Sequence, residues 1–370
     1  MTQITYAQSI DDARILYQNE AYQQAYEMAN DCYSSDTTEI DCLLLSARSA
    51  FALGDQATAK TLFHQLEKKD TSLIEPIKKL ATIYDQQGQL PRAIKYYTIL
   101  NTQLPDNPIY YRKNARLYQA YGDRAKAFQL YRKANQLNPR DIISIKGLAD
   151  LLIDNKQVEE ADSMINIGLE LDSMNINLNY LSAKAKYRQK EYGDVIKVFD
   201  RIRGQVDLSP YHNKMLGYSY LQIDSVDLAI NKLQLSLVDD EESEKLHYYL
   251  ATAYEKKGNM EGAQDHYQKA VKFATSPDLD LYHRNVARIA NKQKDLPLAI
   301  ASYKDAYKYG DDPVVLYYLA AACDNYYKDK SIAISYYKKY IKSNHNNVEY
   351  IDYAEKRVRY LKELIHQGSN

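Results

Sequence analysis

Apolar and polar positions along this chain follow a helical period, and that helical pattern itself recurs every 34 residues. Leu80 to Tyr97 reads as an apolar stripe, a glycine turn and a second stripe. It returns from Asn114 to Tyr131, with Ala115, Tyr118, Gly122, Ala127 and Tyr131 standing for Ala81, Tyr84, Gly88, Ala93 and Tyr97. Stepping the downstream alanine in both directions gives Ala25, Ala59, Ala93, Ala127, Ala161, Val195, Ala229 and Ala263. After a two-residue insertion the series resumes at Ala299 and Ala333. A second series lies twelve residues upstream: Ala13, Ala47, Ala81, Ala115, Ala149, Ala183, Gly217, Ala251, Ala287 and Ala321. The pattern predicts ten helix–turn–helix units. Two helices in a hairpin approach to about 8–10 Å, and their closest crossing tolerates little beyond a methyl group. Larger knobs recur four residues after the downstream alanine, on the same face: Phe63, Tyr97, Tyr131, Ile165, Phe199, Leu233, Tyr267, Tyr303 and Tyr337.

Gly54, Gly88, Gly122 and Gly258 mark the turn within a unit. Glu20, Lys156, Lys190, Asp224, Lys294 and Lys328 take that place elsewhere, so those turns need not use a positive φ. Pro91 and Pro297 open second helices, where a missing N–H costs nothing, and the other prolines fall between units or in first turns. The acidic run Asp239 to Glu244 reads as a solvated junction, and Phe273 to Asp280 carries the insertion. Val348, Ile351, Val358, Leu361 and Ile365 predict a last helix over 347–367. Glu355 holds its next small slot, so no further helix is expected to pack closely there, and the segment reads as a cap.

This repeat, carried over about residues 6–346, resembles the tetratricopeptide repeat. The resemblance implies an all-α fold, a right-handed α-solenoid superhelix of antiparallel helix–turn–helix repeats. Ten repeats would occupy 1–346, and a C-terminal capping helix with a short tail 347–370. It also implies that the first helix of each hairpin, helix A, lines a concave groove. The chain departs from the family pattern in lacking tryptophan and in keeping the inter-repeat proline only at Pro105 and Pro139, which implies looser junctions in repeats five to ten. Chaperone-binding members pair lysine with asparagine four residues on. Here Lys78 is followed by Thr82, Lys146 by Asp150 and Lys214 by Tyr218, so that sub-family is not indicated.

Two helix A positions off the packing face collect charge. The first reads Ile10, Leu44, Lys78, Arg112, Lys146, Tyr180, Lys214, Tyr248, Arg284 and Tyr318; the second reads Arg14, Arg48, Thr82, Arg116, Asp150, Lys184, Tyr218, Thr252, Arg288 and Ala322. Ten of the twenty are basic, where 48 Lys and Arg in 370 residues predict between two and three. By the resemblance the groove is then basic and tyrosine-rich, with Arg48, Lys78, Arg112, Arg116, Lys146, Lys184, Lys214, Tyr218, Tyr248, Arg284 and Arg288 as candidate binding residues. Such a concavity suits an extended acidic protein segment or a free C-terminal carboxylate. The opposing explanation is a solvated face whose arginine stems cover apolar neighbours, with Asp41, Glu75, Asp85 and Glu255 offsetting part of the charge.

Composition narrows the alternatives. A formal net charge of −1 counts against a general nucleic-acid or membrane-surface binder. Single-stranded nucleic acid, stacked on tyrosines along a basic track, is the runner-up. A third reading is an architectural subunit that self-associates through its convex face or its tyrosine-rich end near Tyr326, Tyr327, Tyr336 and Tyr337. No apolar run is long enough to span a bilayer. The N-terminus lacks a signal-peptide pattern, which points to the cytoplasm, with a periplasmic or exported mature chain as the alternative. No metal, cofactor or catalytic motif is found, so no enzyme is expected. Cys32, Cys42 and Cys323 show no CxxC spacing and are read as free thiols in preference to a Cys32–Cys42 bridge.

Overall fold

The computed structural model of the chain describes residues 2–343 and 347–368, so the boundary at 346 lies outside the described residues. Regular structure in them is entirely α-helical, and the chain divides after Ala185 into two compact units. The first unit contains α1 (Thr2–Gln18), α2 (Tyr22–Ser35), α3 (Ile40–Ala52), α4 (Gln56–Lys69), α5 (Ile74–Gln86), α6 (Leu90–Gln103), α7 (Pro108–Tyr121), α8 (Arg124–Leu137), α9 (Ile142–Asp154) and α10 (Val158–Leu171). Helix α11 (Ile176–Arg188) runs across the division. The second unit contains α12 (Tyr192–Arg201), α13 (Pro210–Gln222), α14 (Val226–Leu237), α15 (Glu244–Lys256), α16 (Met260–Phe273), α17 (Leu279–Lys292), α18 (Leu296–Gly310), α19 (Pro313–Tyr326), α20 (Lys330–Lys342) and α21 (Val348–Gly368). None of the described helices is long and apolar enough to cross a membrane.

Within each unit consecutive helices pack as hairpins, odd-numbered helices serving as helix A and even-numbered ones as helix B. The small residues sit where these helices cross. Ala47, Ala59, Ala81, Ala93, Ala115, Ala127, Ala149 and Ala161 are all fully buried in the first unit, as are Ala229, Ala251, Ala263, Ala287 and Ala299 in the second. Gly217 shows why the slot stays small: a Cβ there would lie 3.0 Å from the Leu233 backbone nitrogen. The aromatic and aliphatic knobs fill the space beside each crossing, and Phe63, Tyr97, Tyr267 and Tyr337 are at most 2% exposed. Helix starts are set locally. Asp55, Asp123, Asp141 and Asp295 each accept a backbone N–H three residues on, meeting donors that the helix itself leaves unpaired.

Four features were not legible in the sequence. Five of the six turns without glycine do adopt a positive φ, at Glu20 (61°), Lys156 (64°), Lys190 (62°), Asp224 (60°) and Lys294 (65°). The hydrogen-bond pattern demands it. Gln157 N–H reaches back to the Leu152 carbonyl at 2.9 Å, as Asp55 N–H reaches Ala50 at 3.0 Å across the glycine turn. Each left-handed side chain costs about 1 kcal/mol, which the packing of two helices outweighs. The sixth turn differs, since Tyr327 ends α19 in an extended conformation. That hairpin is one residue longer between its buried alanines, and the small residue of α19 is Ala320 instead of Ala321.

The slip carries into the last helix. Ala354, not Glu355, is the fully buried small residue of α21, which packs against α20. Arg357 secures it, its Nε donating to the buried Asp324 carboxylate at 2.6 Å. Finally, Cys32 and Cys42 are joined as a disulfide, against the expectation of free thiols. The last turn of α2 and the first turn of α3 bring their Cα atoms to 5.9 Å, with both side chains turned into the core.

Candidate functional site

The candidate residues fall into two sets, one in each unit. In the first unit Arg48 lies on α3, Lys78 on α5, Arg112 and Arg116 on α7, Lys146 on α9 and Lys184 on α11. Four of these six cations are committed to carboxylates of neighbouring repeats. Arg48 grips Glu75 through two nitrogens, and that fork holds the Glu75 carboxyl below the usual range. Arg112 reaches Asp141 at 2.7 Å, and Arg116 reaches Asp85 through both carboxylate oxygens, at 2.6 and 2.5 Å. Lys184 sits between Asp150 at 2.7 Å and Asp154 at 2.9 Å. Lys78 and Lys146 have no carboxylate within ion-pairing distance among the described residues.

In the second unit Lys214 and Tyr218 lie on α13, Tyr248 on α15, and Arg284 and Arg288 on α17. Arg288 clasps Glu255 with both terminal nitrogens, and Lys292 adds a contact at 3.1 Å. The Arg288 fork pulls the Glu255 carboxyl down to about 2. Arg284 bridges Asp280 and Asp312, each at 2.9 Å. Lys214 has no carboxylate partner among the described residues. Tyr218 and Tyr248 belong to a continuous wall of rings. Tyr187, Tyr192 and Tyr218 meet edge to face with centroids 5.7–5.9 Å apart, Tyr249 follows Tyr218 at 4.6 Å, and Tyr248 connects onward to Tyr282 at 5.4 Å.

Most of the basic bias on helix A therefore neutralises acids on the adjacent helix A or at its start. Half-buried pairs of this kind organise a face more than they charge it. The offsetting roles of Asp41, Glu75, Asp85 and Glu255 were legible in the sequence; those of Asp141 and Asp312 were missed because both are helix-capping residues. A signal did exist, since each acid follows its arginine by almost the same interval, 29 and 28 residues. Among the described residues no three His, Cys, Asp or Glu side chains are arranged to hold a metal.

Sequence reasoning also missed a histidine pair in the second unit. His247 Nε2 donates to the Glu241 carbonyl at 2.9 Å, so its Nδ1 is free to accept from His266 Nδ1–H, also at 2.9 Å. Phe273 stacks on one ring and Tyr254 on the other. Burial, and then the neighbouring His247, push His266 down to about 4, while Lys269 and Asp265 act on both rings with opposite sign. The folded pair is thus neutral where the unfolded chain takes up protons. Its stabilisation is complete above about pH 6.5 and is lost as pH falls toward 4, by about 2 kcal/mol once partial exposure is allowed for. His266→Gln keeps the donor without the titration. The stability difference between wild type and this variant, from urea unfolding, should shift against wild type by that amount from pH 7.5 to 4.5; a constant difference assigns the pair no linkage.

Two segments, 41–70 and 250–313, match family models described as tetratricopeptide repeat. No curated protein matches the chain. Among solved structures, one described as YrrB, a TPR protein with an unusual peptide-binding site, is 18% identical over 52% of this chain and 96% of its own, with a TM-score of 0.46. A tetratricopeptide repeat protein from Parabacteroides merdae is 16% identical over 68% of this chain and 98% of its own, also at 0.46. A Naa15/Naa10 complex bound to HypK-THB is 13% identical over 94% of this chain and 59% of its own, at 0.45.

Proposed function

We propose that this chain, a tetratricopeptide repeat protein, is a non-enzymatic scaffold that holds an extended acidic segment of a partner protein along its helix A faces. Tetratricopeptide repeats are protein-interaction modules, and the acidic character of the segment is the part argued from this chain's own residues. The observation that carries it is the contrast in the first unit between committed and uncommitted cations. Arg112 and Arg116 spend their charge on Asp141 and Asp85, whereas Lys78 and Lys146 on the flanking A helices have no carboxylate partner among the described residues. An incoming carboxylate gains most at those two lysines. The arginines keep the face in order.

Nucleic acid is less well served. The ring wall around Tyr218 offers stacking, but Lys214 is the one candidate cation of that unit without a carboxylate, and a phosphate backbone needs a track of them. The Cys32–Cys42 bridge supports the exported alternative over the cytoplasm, since such bonds persist in oxidising compartments.

The test uses a fluorescein-labelled decapeptide of alternating Glu and Ala, followed by anisotropy at low and physiological salt. Lys78→Glu with Lys146→Glu should weaken binding at least tenfold and leave the melting temperature unchanged, because neither lysine holds a structural partner. Equal binding by the double variant overturns the reading. A mixed-sequence oligonucleotide binding more tightly than the peptide would favour the nucleic-acid alternative.

A further inference from the structure

The second unit contains a cavity of about 240 Å³ between α17, α18 and α19, with room for a long side chain. Leu281, Val314 and Val315 form its apolar wall, and Arg284, Asn285, Arg288, Asp312 and Tyr303 supply its polar groups. Tyr303 is only 5% exposed, and its ring stacks on Tyr318 at 6.0 Å and 16°. Its hydroxyl has no protein partner among the described residues, and burial pushes it up to about 12, so it remains a donor at any physiological pH. Tyr303 lines the cavity, so an acceptor placed there can meet its hydroxyl.

Charge decides which acceptor fits. Of the charged groups that line the cavity, Arg284 is paired with Asp280 and with Asp312, itself on the lining. Arg288 is paired with Glu255 behind it, which Lys292 also contacts, so each arginine is already matched by carboxylates. An anion entering this balanced set would lose its hydration without net attraction, and would lie beside Asp312. A neutral group escapes that penalty. Asp312 still has acceptor capacity, because its two oxygens each take one bond, from Val314 N–H and from Arg284. The cavity thus presents spare donors at the Tyr303 hydroxyl and at the buried, unpartnered Arg284 Nε, and a spare acceptor at Asp312, beside an apolar wall.

We propose that this cavity anchors a primary carboxamide side chain, glutamine or asparagine, of the bound segment. The C=O accepts from the Tyr303 hydroxyl, the NH₂ donates to Asp312, and the methylene stem lies along Leu281, Val314 and Val315. The inference rests on the reading that the chain binds an extended protein segment, and concerns the second unit alone.

Peptides of the form acetyl-Ala-Ala-X-Ala-Ala-N-methylamide, with X as Gln, Glu, Leu or Ala, test it by saturation-transfer NMR on the full chain. The glutamine peptide should bind in the millimolar range and at least fivefold more tightly than the other three. Tyr303→Phe removes only the hydroxyl, so it should weaken that peptide about fivefold while the melting temperature holds or rises. Leu281→Trp, which fills the cavity from a half-buried position, should abolish the preference. A glutamate peptide binding as well as glutamine, no preference over alanine, or full binding by Tyr303→Phe would each overturn the proposal. None of these outcomes bears on the acidic decapeptide, whose binding is read through Lys78 and Lys146, so the two ideas fail separately.

Discussion

Ala127→Asp is expected to destabilise the first unit by about 4–5 kcal/mol, enough to unfold its neighbourhood under conditions where wild type is native. Ala127 is fully buried in α8 at the crossing with α7, packed among Ala115, Leu130, Tyr131 and Ala149. Two penalties add there. The larger side chain forces the helices apart, and its carboxyl finds no donor, so it must either keep an unpaired charge or take up a proton. Ala125→Asp is the paired control. It is exposed in the first turn of the same helix, where negative charge is favourable, and should change stability by less than about 0.5 kcal/mol. Urea unfolding followed by circular dichroism should give an early partial transition for the first variant and none for the second. Similar curves for both would mean that the small positions have been placed wrongly.

Reducing the Cys32–Cys42 bridge should cost about 3 kcal/mol, the amount expected from releasing a loop of this length in the unfolded chain. The residues are ten apart, and the bridge fastens the hairpin α1–α2 to α3. The loss should therefore concentrate at that end of the first unit, as faster amide exchange in α2 while α9 keeps its protection. Thiol titration gives the direct check. Denatured without reductant, the chain should show one thiol, from Cys323, and with reductant three; three in both cases removes the bridge. Cys323 is buried and its thiol is pushed up to about 11 by burial, so it should stay unreactive in the folded chain.

The hairpins were legible because a close helix crossing acts directly on residue type. A slot that admits only a methyl group must repeat wherever the crossing repeats, and Ala93, Ala127 and Ala161 show that in any reading of the chain. Where the backbone could meet the same demand in another way, the sequence was silent. Lys156 and Glu20 give no hint of left-handed geometry, because their conformation is imposed by the two helices on either side. The slip to Ala320 and Ala354 was hidden for a related reason: Ala320, Ala321 and Ala322 are adjacent, and only packing selects among them. The charge bias on helix A was visible, but its partners lie roughly one repeat away, so Asp141 opposite Arg112 came into view only with the helices in place.

The sequence by itself determined the repeat, its length, the buried small positions and the excess of cations on one face of helix A. Each is a local constraint repeated along the chain, and repetition makes it readable. Only the tertiary structure decided which of those cations are already satisfied, that Cys32 meets Cys42, and that Tyr303 opens its hydroxyl onto a cavity of balanced charge. These depend on distances between residues of different helices, which side-chain packing sets and no periodicity records.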